Sequence, residues 1–471
     1  MLTRLTSNTL HFAILCILIT ISQYATAQTD TTRTLVVRNV IVTGNKHTKT
    51  YIIKRELDIK ERDTIAIRNL MARIKRGREN INNTTLFLEV KADPLIIDAY
   101  TADIIVTVRE KWYIYPLPEF SLVDRSWDEW VTKYNASLKR VNYGVKFAHY
   151  NLTGRRDELN IKLINGYTRN ISFNYKAPYA NSSLTNGFSI GAGYSQTHEV
   201  AYKTSYNNNL LYFNNGDFAR SAWNISGSYS IRKRINKSET IGVNYSNIEI
   251  VDSIQTTPYN THYFNTSSHV SFADIYYVFQ YNDVNNIQYP LNGYTVGFNV
   301  IKRGFGFNGG IDMLSLQGEY DKYWKLGHKW YTSLQLQGKI KLPFDQPYFN
   351  QQGMGFGRAY LRGLEYAVID GVAYSILKLN LKREILNFVI PTPLKSKTFH
   401  RIPFKVYAKA YTDYGYLYSR DGFATQLSNK FLYSGGLGLD ILTVYDIQFR
   451  FEYSFNQLGQ NRLFLHNDSG F

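Results

Sequence analysis

Two glycine-framed segments have the spacing of chemical motifs. Gly187-Phe188-Ser189-Ile190-Gly191 matches G-x-S-x-G, which in a strand-to-helix turn exposes a nucleophilic serine. Gly304-Phe305-Gly306-Phe307-Asn308-Gly309 matches G-x-G-x-x-G, which cradles a pyrophosphate when a helix follows. Both fail on context. Ser189 stands inside an alternating pattern with no helix after it, and a glycine-rich hairpin loop is expected at Gly304–Gly309. The nine histidines show no metal-ligand spacing, and the single cysteine, Cys16, falls in an N-terminal apolar run. No catalytic, cofactor-binding or metal-binding constellation remains, so no enzyme is expected. What survives is a guanidinium and a carboxylate, Arg362 and Asp413, chemistry suited to a bidentate anchoring pair.

The elements that would position such a pair follow from composition and period. The chain has 471 residues and a net charge of +17, with 15% aromatic residues (Tyr 39, Phe 27) and only 11 prolines. That balance favours strands and membrane–water boundaries over a helical bundle or a disordered chain. A mean hydropathy of −0.31, with no apolar run of helix-spanning length after the N-terminus, excludes a multi-helix membrane protein. Basic charge with many aromatics could suggest nucleic-acid binding, but an export leader and the lack of a basic strand face argue against it.

The first 27 residues read as a secretory signal peptide. Arg4 supplies the basic region, Phe12 to Ile21 the apolar core, and Ala25-Thr26-Ala27 the cleavage site, with maturation before Gln28. A linker, 28–34, follows. From Leu35 to Lys111 strand and helix patterns mix in the order β-α-α-β-β. A strand runs over Val36–Val42, Thr50 caps one helix, and a second starts at Thr64 with Ile67, Leu70, Met71 and Ile74 on one face. Two strands follow, around Leu86–Val90 and Ala102–Val108. The second helix carries Arg68, Arg73, Lys75, Arg76 and Arg78. They form a solvated basic face, or a contact for anionic headgroups or an acidic partner.

After Trp112 period-2 alternation takes over to the end of the chain. Trp330, Thr332, Leu334, Leu336 and Ile340 alternate with Tyr331, Ser333, Gln335, Gln337, Lys339 and Lys341; Phe449, Phe451, Tyr453 and Phe455 alternate with Gln448, Arg450, Glu452 and Ser454. The segments run for about 9–12 residues, close to the ~9–11 that a tilted membrane strand needs, and their charged sides suit a wet lumen. About sixteen segments can be counted. They centre near Phe120, Val145, Ile161, Phe173, Ile190, Ile225, Val243, Phe272, Val296, Leu316, Leu334, Leu379, Val406, Leu437, Phe449 and Leu465. The expected fold is a transmembrane antiparallel β-barrel of about sixteen strands over 112–471, preceded by a small α+β domain over 35–111.

Parity then places the anchoring pair. Phe404, Val406, Ala408 and Ala410 share one side of a strand, whereas Lys405, Tyr407, Lys409, Tyr411, Asp413 and Gly415 share the other, which faces the lumen. Arg362 lies in a connection of roughly thirty residues, far beyond the ~12–15 above which loops are usually functional. Folded inward, that loop would bring Arg362 to Asp413, with Gly363 permitting a tight turn. A solvated arginine on an extracellular loop is the alternative.

At this point the chain resembles the BamA/TamA-type outer-membrane insertase and transporter superfamily, over about Leu35 to Phe471. The residues that carry the resemblance are Tyr360-Leu361-Arg362-Gly363-Leu364-Glu365-Tyr366 with Val368-Ile369-Asp370-Gly371, similar to the family's lumen-loop motif. Tyr411-Thr412-Asp413-Tyr414-Gly415 is similar to its loop-anchoring strand, and the terminal Phe471 to its C-terminal barrel signal. Weaker matches are Asn151-Leu152-Thr153-Gly154 and Asp283 with Pro290, Gly293 and Tyr294. Asn380 stands where members often carry Glu, and only one POTRA-like unit fits before Trp112.

The resemblance implies a surface-antigen-like protein of the bacterial outer membrane with a periplasmic POTRA-like domain. It implies an assembly or translocation factor that helps insert or export unfolded outer-membrane or secreted client polypeptides at a lateral seam. Partners would be those clients, periplasmic or lipoprotein assembly factors, and outer-membrane lipids, with no nucleic acid and no cofactor. A passive pore or receptor, or a dedicated two-partner-type transporter, is the alternative. Pro116 and Pro118 would weaken the seam in the first strand, or merely end the linker; of His466, Asn467, Asp468 and Ser469 in the last strand, two would face lipid.

Overall fold

The computed structural model describes residues 33–122, 131, 135–256, 258–264, 267–305, 310–393, 401–420 and 423–468. The leader, Cys16, the cleavage site and Phe471 lie outside them. The N-terminal domain comprises β1 (Thr34–Thr43), α1 (Thr50–Glu56), β2 (Thr64–Ala66), α2 (Ile67–Asn82), β3 (Phe87–Ile96) and β4 (Thr101–Glu110). Its sheet has the order β2-β1-β4-β3, parallel between β1 and β4 and antiparallel elsewhere. Val37, Val40, Ile104 and Val106 of the sheet bury against Ile53, Leu70, Ile74 and Ile81 of the helices.

Three expectations for this domain need correction. Thr64–Ala66 is a short strand, not the start of a helix: its β-branched Ile65 is buried and pairs with Leu35, so α2 begins only at Ile67. Thr50 is not a cap. Lys49 holds that position without a side-chain bond, and the Thr50 hydroxyl accepts from Asn45 Nδ2 at 3.1 Å. The basic run on α2 is only partly a solvated face. Arg73 pairs with Asp63 at 3.2 Å, and Arg76 reaches Asp283 on the barrel at 3.3 Å.

Sixteen antiparallel strands form the barrel. In chain order they are β5 (Ile114–Leu122), β6 (Val141–Tyr150), β7 (Glu158–Gly166), β8 (Thr168–Ala177), β9 (Asn186–Thr197), β12 (Arg220–Arg234), β13 (Lys237–Ile250), β14 (His269–Val284), β15 (Gly293–Arg303), β16 (Met313–Gly327), β17 (Trp330–Leu342), β20 (Ala373–Pro391), β21 (Arg401–Tyr418), β22 (Phe431–Leu442), β23 (Gln448–Asn456) and β24 (Asn461–Asp468). Each of the sixteen centres read from the sequence falls inside one of them. Lengths are less uniform than expected, from 8 residues in β24 to 19 in β20. The remaining strands, the hairpin β10 (Val200–Thr204) and β11 (Leu210–Phe213) and the pair β18 (Gln352–Met354) and β19 (Ile369–Asp370), belong to loops.

Further residues pack at both ends of the barrel. At one end, loop residues Phe213, Ile254, Phe264, Ile311 and Tyr348 pack into an apolar core of their own. At the other, the N-terminal domain rests on the barrel's turns. Glu56, fully buried, accepts from Arg232 Nη1 at 2.6 Å and Nη2 at 3.0 Å, from Tyr179 Oη at 2.8 Å and from Arg55 Nη1 at 2.9 Å. Burial alone would push the Glu56 carboxyl up; the charge and hydrogen bond of Arg232, backed by Arg55 and Arg156, hold it below the ordinary carboxylate range. Asn151 donates to the Thr48 hydroxyl at 2.9 Å, and Lys49 N–H to the Gly154 carbonyl at 2.9 Å. Asn83 donates to the Val284 carbonyl at 2.9 Å. The weaker sequence matches at Asn151–Gly154 and Asp283 thus lie on the surface that receives the domain.

Candidate functional site: the lumen loop and the seam

The connection between β17 and β20 turns back into the barrel instead of standing in solvent. Its apolar residues Met354, Leu361, Leu364 and Ile369 bury against Ile376, Leu417 and Leu432 of the wall. Burial of this apolar face gives the loop a fixed seat, which a charged anchor alone would not.

On that seat Arg362 is only 7% exposed. Its backbone N–H and its Nε both donate to Asp413 Oδ2 at 2.9 Å, and Nη2 pairs with Oδ1. Nη1 donates to Asn380 Oδ1 at 2.5 Å and lies 3.8 Å from Glu452. Asn380 therefore keeps an anchoring contact, as a neutral acceptor, that its departure from the family pattern had put in question. Tyr411 lies beneath the guanidinium, 3.9 Å from ring centroid to Cζ, and its hydroxyl meets Ser454 Oγ at 2.6 Å. Each of the three guanidinium nitrogens donates a hydrogen bond, and two carboxylates lie within ion-pair distance, so burying the charge is tolerable.

The other motif residues hold the loop's path. Gly363 turns at φ +85°, a region closed to most side chains, and its carbonyl accepts from Asn456 Nδ2 at 2.7 Å. Gly415 leaves room for Leu361, whose Cδ1 would lie 2.9 Å from a Cβ there. Leu361 and Asp370 are buried, Asp370 in the β18–β19 pair, and the Gly371 N–H donates to the Gln351 carbonyl at 2.6 Å. Glu365 Oε1 lies 3.1 Å from His466 Nε2 on β24, and His466 is also 3.3 Å from Glu452 Oε2. His466 thus faces the lumen, while Leu463 and Leu465 face outward.

Beyond Arg362 the charges continue along the wall. Lys409 pairs with Glu452 at 2.6 Å and with Asp440; Lys382 reaches Asp440 at 3.2 Å, and Tyr289, from the β14–β15 turn, donates to Asp440 Oδ2 at 2.7 Å. Sequence reading singled out none of Glu452, Asp440 or Tyr289 as site residues. Only the lumen-facing parity of Glu452 could have suggested the first. Ser189 pairs in the ladder with Lys176 and Ser228, as an ordinary strand residue. Gly304 and Phe305 follow β15, and Gly306–Gly309 lie outside the described residues.

The seam is the second feature. Among the described residues, β5 pairs only with β6 and β24 only with β23. Tyr150 N–H donates to the Tyr113 carbonyl at 2.9 Å, so 113, 115 and 117 direct their backbone groups to β6 and the alternate positions point to the seam. Pro116 and Pro118 are alternate positions inside β5, opposite Phe147 and Val145. They do more than end a linker: both donors they lack are missing from the seam edge.

The family described as "POTRA: Surface antigen variable number repeat" matches residues 35–111. No curated protein matches the chain by sequence. Among solved structures, BamA from Haemophilus ducreyi lacking POTRA domains 1–3 is similar, at 14% identity over 92% of this chain and 84% of that one, with a TM-score of 0.49. CdiB from Escherichia coli is similar at 11% identity over 92% of this chain and 75% of that one, with a TM-score of 0.52, a likeness of fold. The class is an outer-membrane-type β-barrel of sixteen strands carrying an N-terminal domain. That domain is the one the POTRA family matches, and the sixteen-stranded barrel behind it has a fold like that of CdiB.

Proposed function

We propose that this protein is an assembly or translocation factor that inserts or exports client polypeptides at the seam between β5 and β24 without consuming nucleotide. The observation that carries the reading is the seam, where β5 and β24 do not pair with each other among the described residues and the β5 edge lacks two donors at Pro116 and Pro118. An incoming strand can pair there with backbone groups that the barrel itself leaves free. A passive pore is disfavoured, because the Arg362 loop folds into the lumen and is anchored to its wall. In this reading the barrel lies in the bacterial outer membrane and the POTRA domain in the periplasm. Edge strand β3, with Leu95 and Ile96 exposed, would receive clients or assembly partners there.

Cysteine pairs bridging Ile114–Leu122 and Asn461–Asp468 test this directly, since the chain's one native cysteine is Cys16. Oxidation should leave a folded, heat-modifiable barrel that no longer supports client assembly, with activity restored by reductant. A fully crosslinked seam with undiminished activity overturns the proposal.

A further inference from the structure

We infer that Glu365, Glu452 and His466 form a binding site for one divalent cation of the zinc class, which ties the lumen loop to the last strand. The three ligands come from three separate elements: the inward loop, β23 and β24. No spacing motif in the sequence announces them.

Their geometry suits a metal. Nε2 of His466 is 3.1 Å from Glu365 Oε1 and 3.3 Å from Glu452 Oε2, and one ligand atom from each residue lies within 4.8 Å of the others. A tetrahedral ion with bonds of about 2.0–2.1 Å separates its ligands by about 3.3 Å. Two of the three edges already have that length. The donor set, two carboxylates and one imidazole, is one that Zn²⁺, Co²⁺ and Mn²⁺ accept.

Burial and charge point the same way. The side chains are 10%, 2% and 25% exposed for Glu365, Glu452 and His466. Glu365 Oε2 is buried with no hydrogen-bond partner, a costly state for a carboxylate oxygen. Lys409 occupies the other oxygen of Glu452, Oε1, at 2.6 Å. Among the described residues Glu365 has no lysine or arginine within ion-pair distance; its one ion-pair neighbour is His466. A cation between the three groups offsets the charge of two converging carboxylates, and bidentate binding by Glu365 would also give its Oε2 a partner. The rings of Tyr360 and Phe464 stack near His466, 6.4 and 6.3 Å between centroids, and help fix the orientation of the imidazole.

The rival occupant is a proton on His466, shared as a salt bridge between the carboxylates, and titration of the untagged, detergent-solubilised full chain with Co²⁺ separates the two. The expected result is one equivalent of Co²⁺ with the visible absorption of a low-coordinate site, displaced by Zn²⁺. Affinity should weaken more than about tenfold in Glu365→Gln and in His466→Gln, since even outer-shell partners act on that scale. Zn²⁺ should also protect the loop from protease in the wild type and in neither variant. Heat-modifiability shows that each variant is folded; if one is not, the other carries the comparison. Wild-type protein that binds Co²⁺ no more tightly than a folded variant overturns the inference and assigns the site to the proton.

Discussion

Arg362 presents Asp413 with both its backbone N–H and its Nε, each 2.9 Å from the same carboxylate oxygen, across 51 residues of sequence. The contact fixes the loop's main chain as well as its side chain, because one acceptor holds both. Removing either partner strands the other charge in a buried setting at a cost of ~3–5 kcal/mol. Arg362→Ala and Asp413→Ala should each release the loop to protease, with the double variant little worse than either single one. A double-mutant cycle on loop nicking and heat-modifiability reads the coupling. Strictly additive effects would mean that the pair does not act as a unit. Asn380→Ala, which removes a neutral acceptor of the same guanidinium, should cost less, about 1–3 kcal/mol.

Docking of the POTRA domain should depend on pH through Glu56. Its carboxyl is held below the ordinary range when docked, by Arg232 against the opposing effect of burial. The contribution is therefore fully present above the undocked value of about 4.3, and it is lost as pH falls from there through the docked value. Hydrogen exchange of α1 should stay slow at pH 7 and pH 5 and accelerate only below about pH 4. In Arg232→Ala it should be fast even at pH 7, because Glu56 is left buried without its main cation. A docking contact that loosens between pH 7 and pH 5 would point to another group.

Deleting residues 35–110 should leave a barrel that still folds, since none of its sixteen strands pairs with the POTRA sheet. Client handling should fail, because edge strand β3 goes with the domain. Heat-modifiability reports the first outcome and client assembly in a depleted strain the second. Normal assembly without the domain would return the choice to a passive pore.

In planar bilayers the wild type should give small, erratic openings, because the loop seated by Arg362 projects into the lumen. Arg362→Ala should give larger and more frequent ones. A large, steady conductance in the wild type would contradict the seated loop.

Much of this architecture was legible in the sequence because strand alternation is local. The period-2 pattern depends only on neighbours, so it located all sixteen barrel strands and gave Asp413 its lumen-facing parity. Arg362 was legible from loop length and the motif around it. Docking was not. Glu56 reads as an acid at the end of a short helix, and nothing near it in the chain indicates that Arg232 will meet it. The same holds for Glu365, Glu452 and His466, which come together only after the loop has folded inward. Thr64–Ala66 was misread because three residues are too few for either period to show, and pairing with β1 decided their state.

Among the described residues the two seam strands run for nine residues in β5 and eight in β24, whereas β20 and β21 have 19 and 18. At about 3.4 Å per residue and a tilt of about 40°, the seam strands rise only ~20–25 Å and the long pair ~45–50 Å. The hydrocarbon core of an ordinary bilayer is about 30 Å thick. In the proposed membrane setting the described seam wall therefore rises less than the hydrocarbon core, whereas β21 and β20, three and four places from β24 in the sheet, span it with length to spare. A bilayer fitted to the described strands would be thinnest at the seam, which would give the proposed insertion its shortest path across.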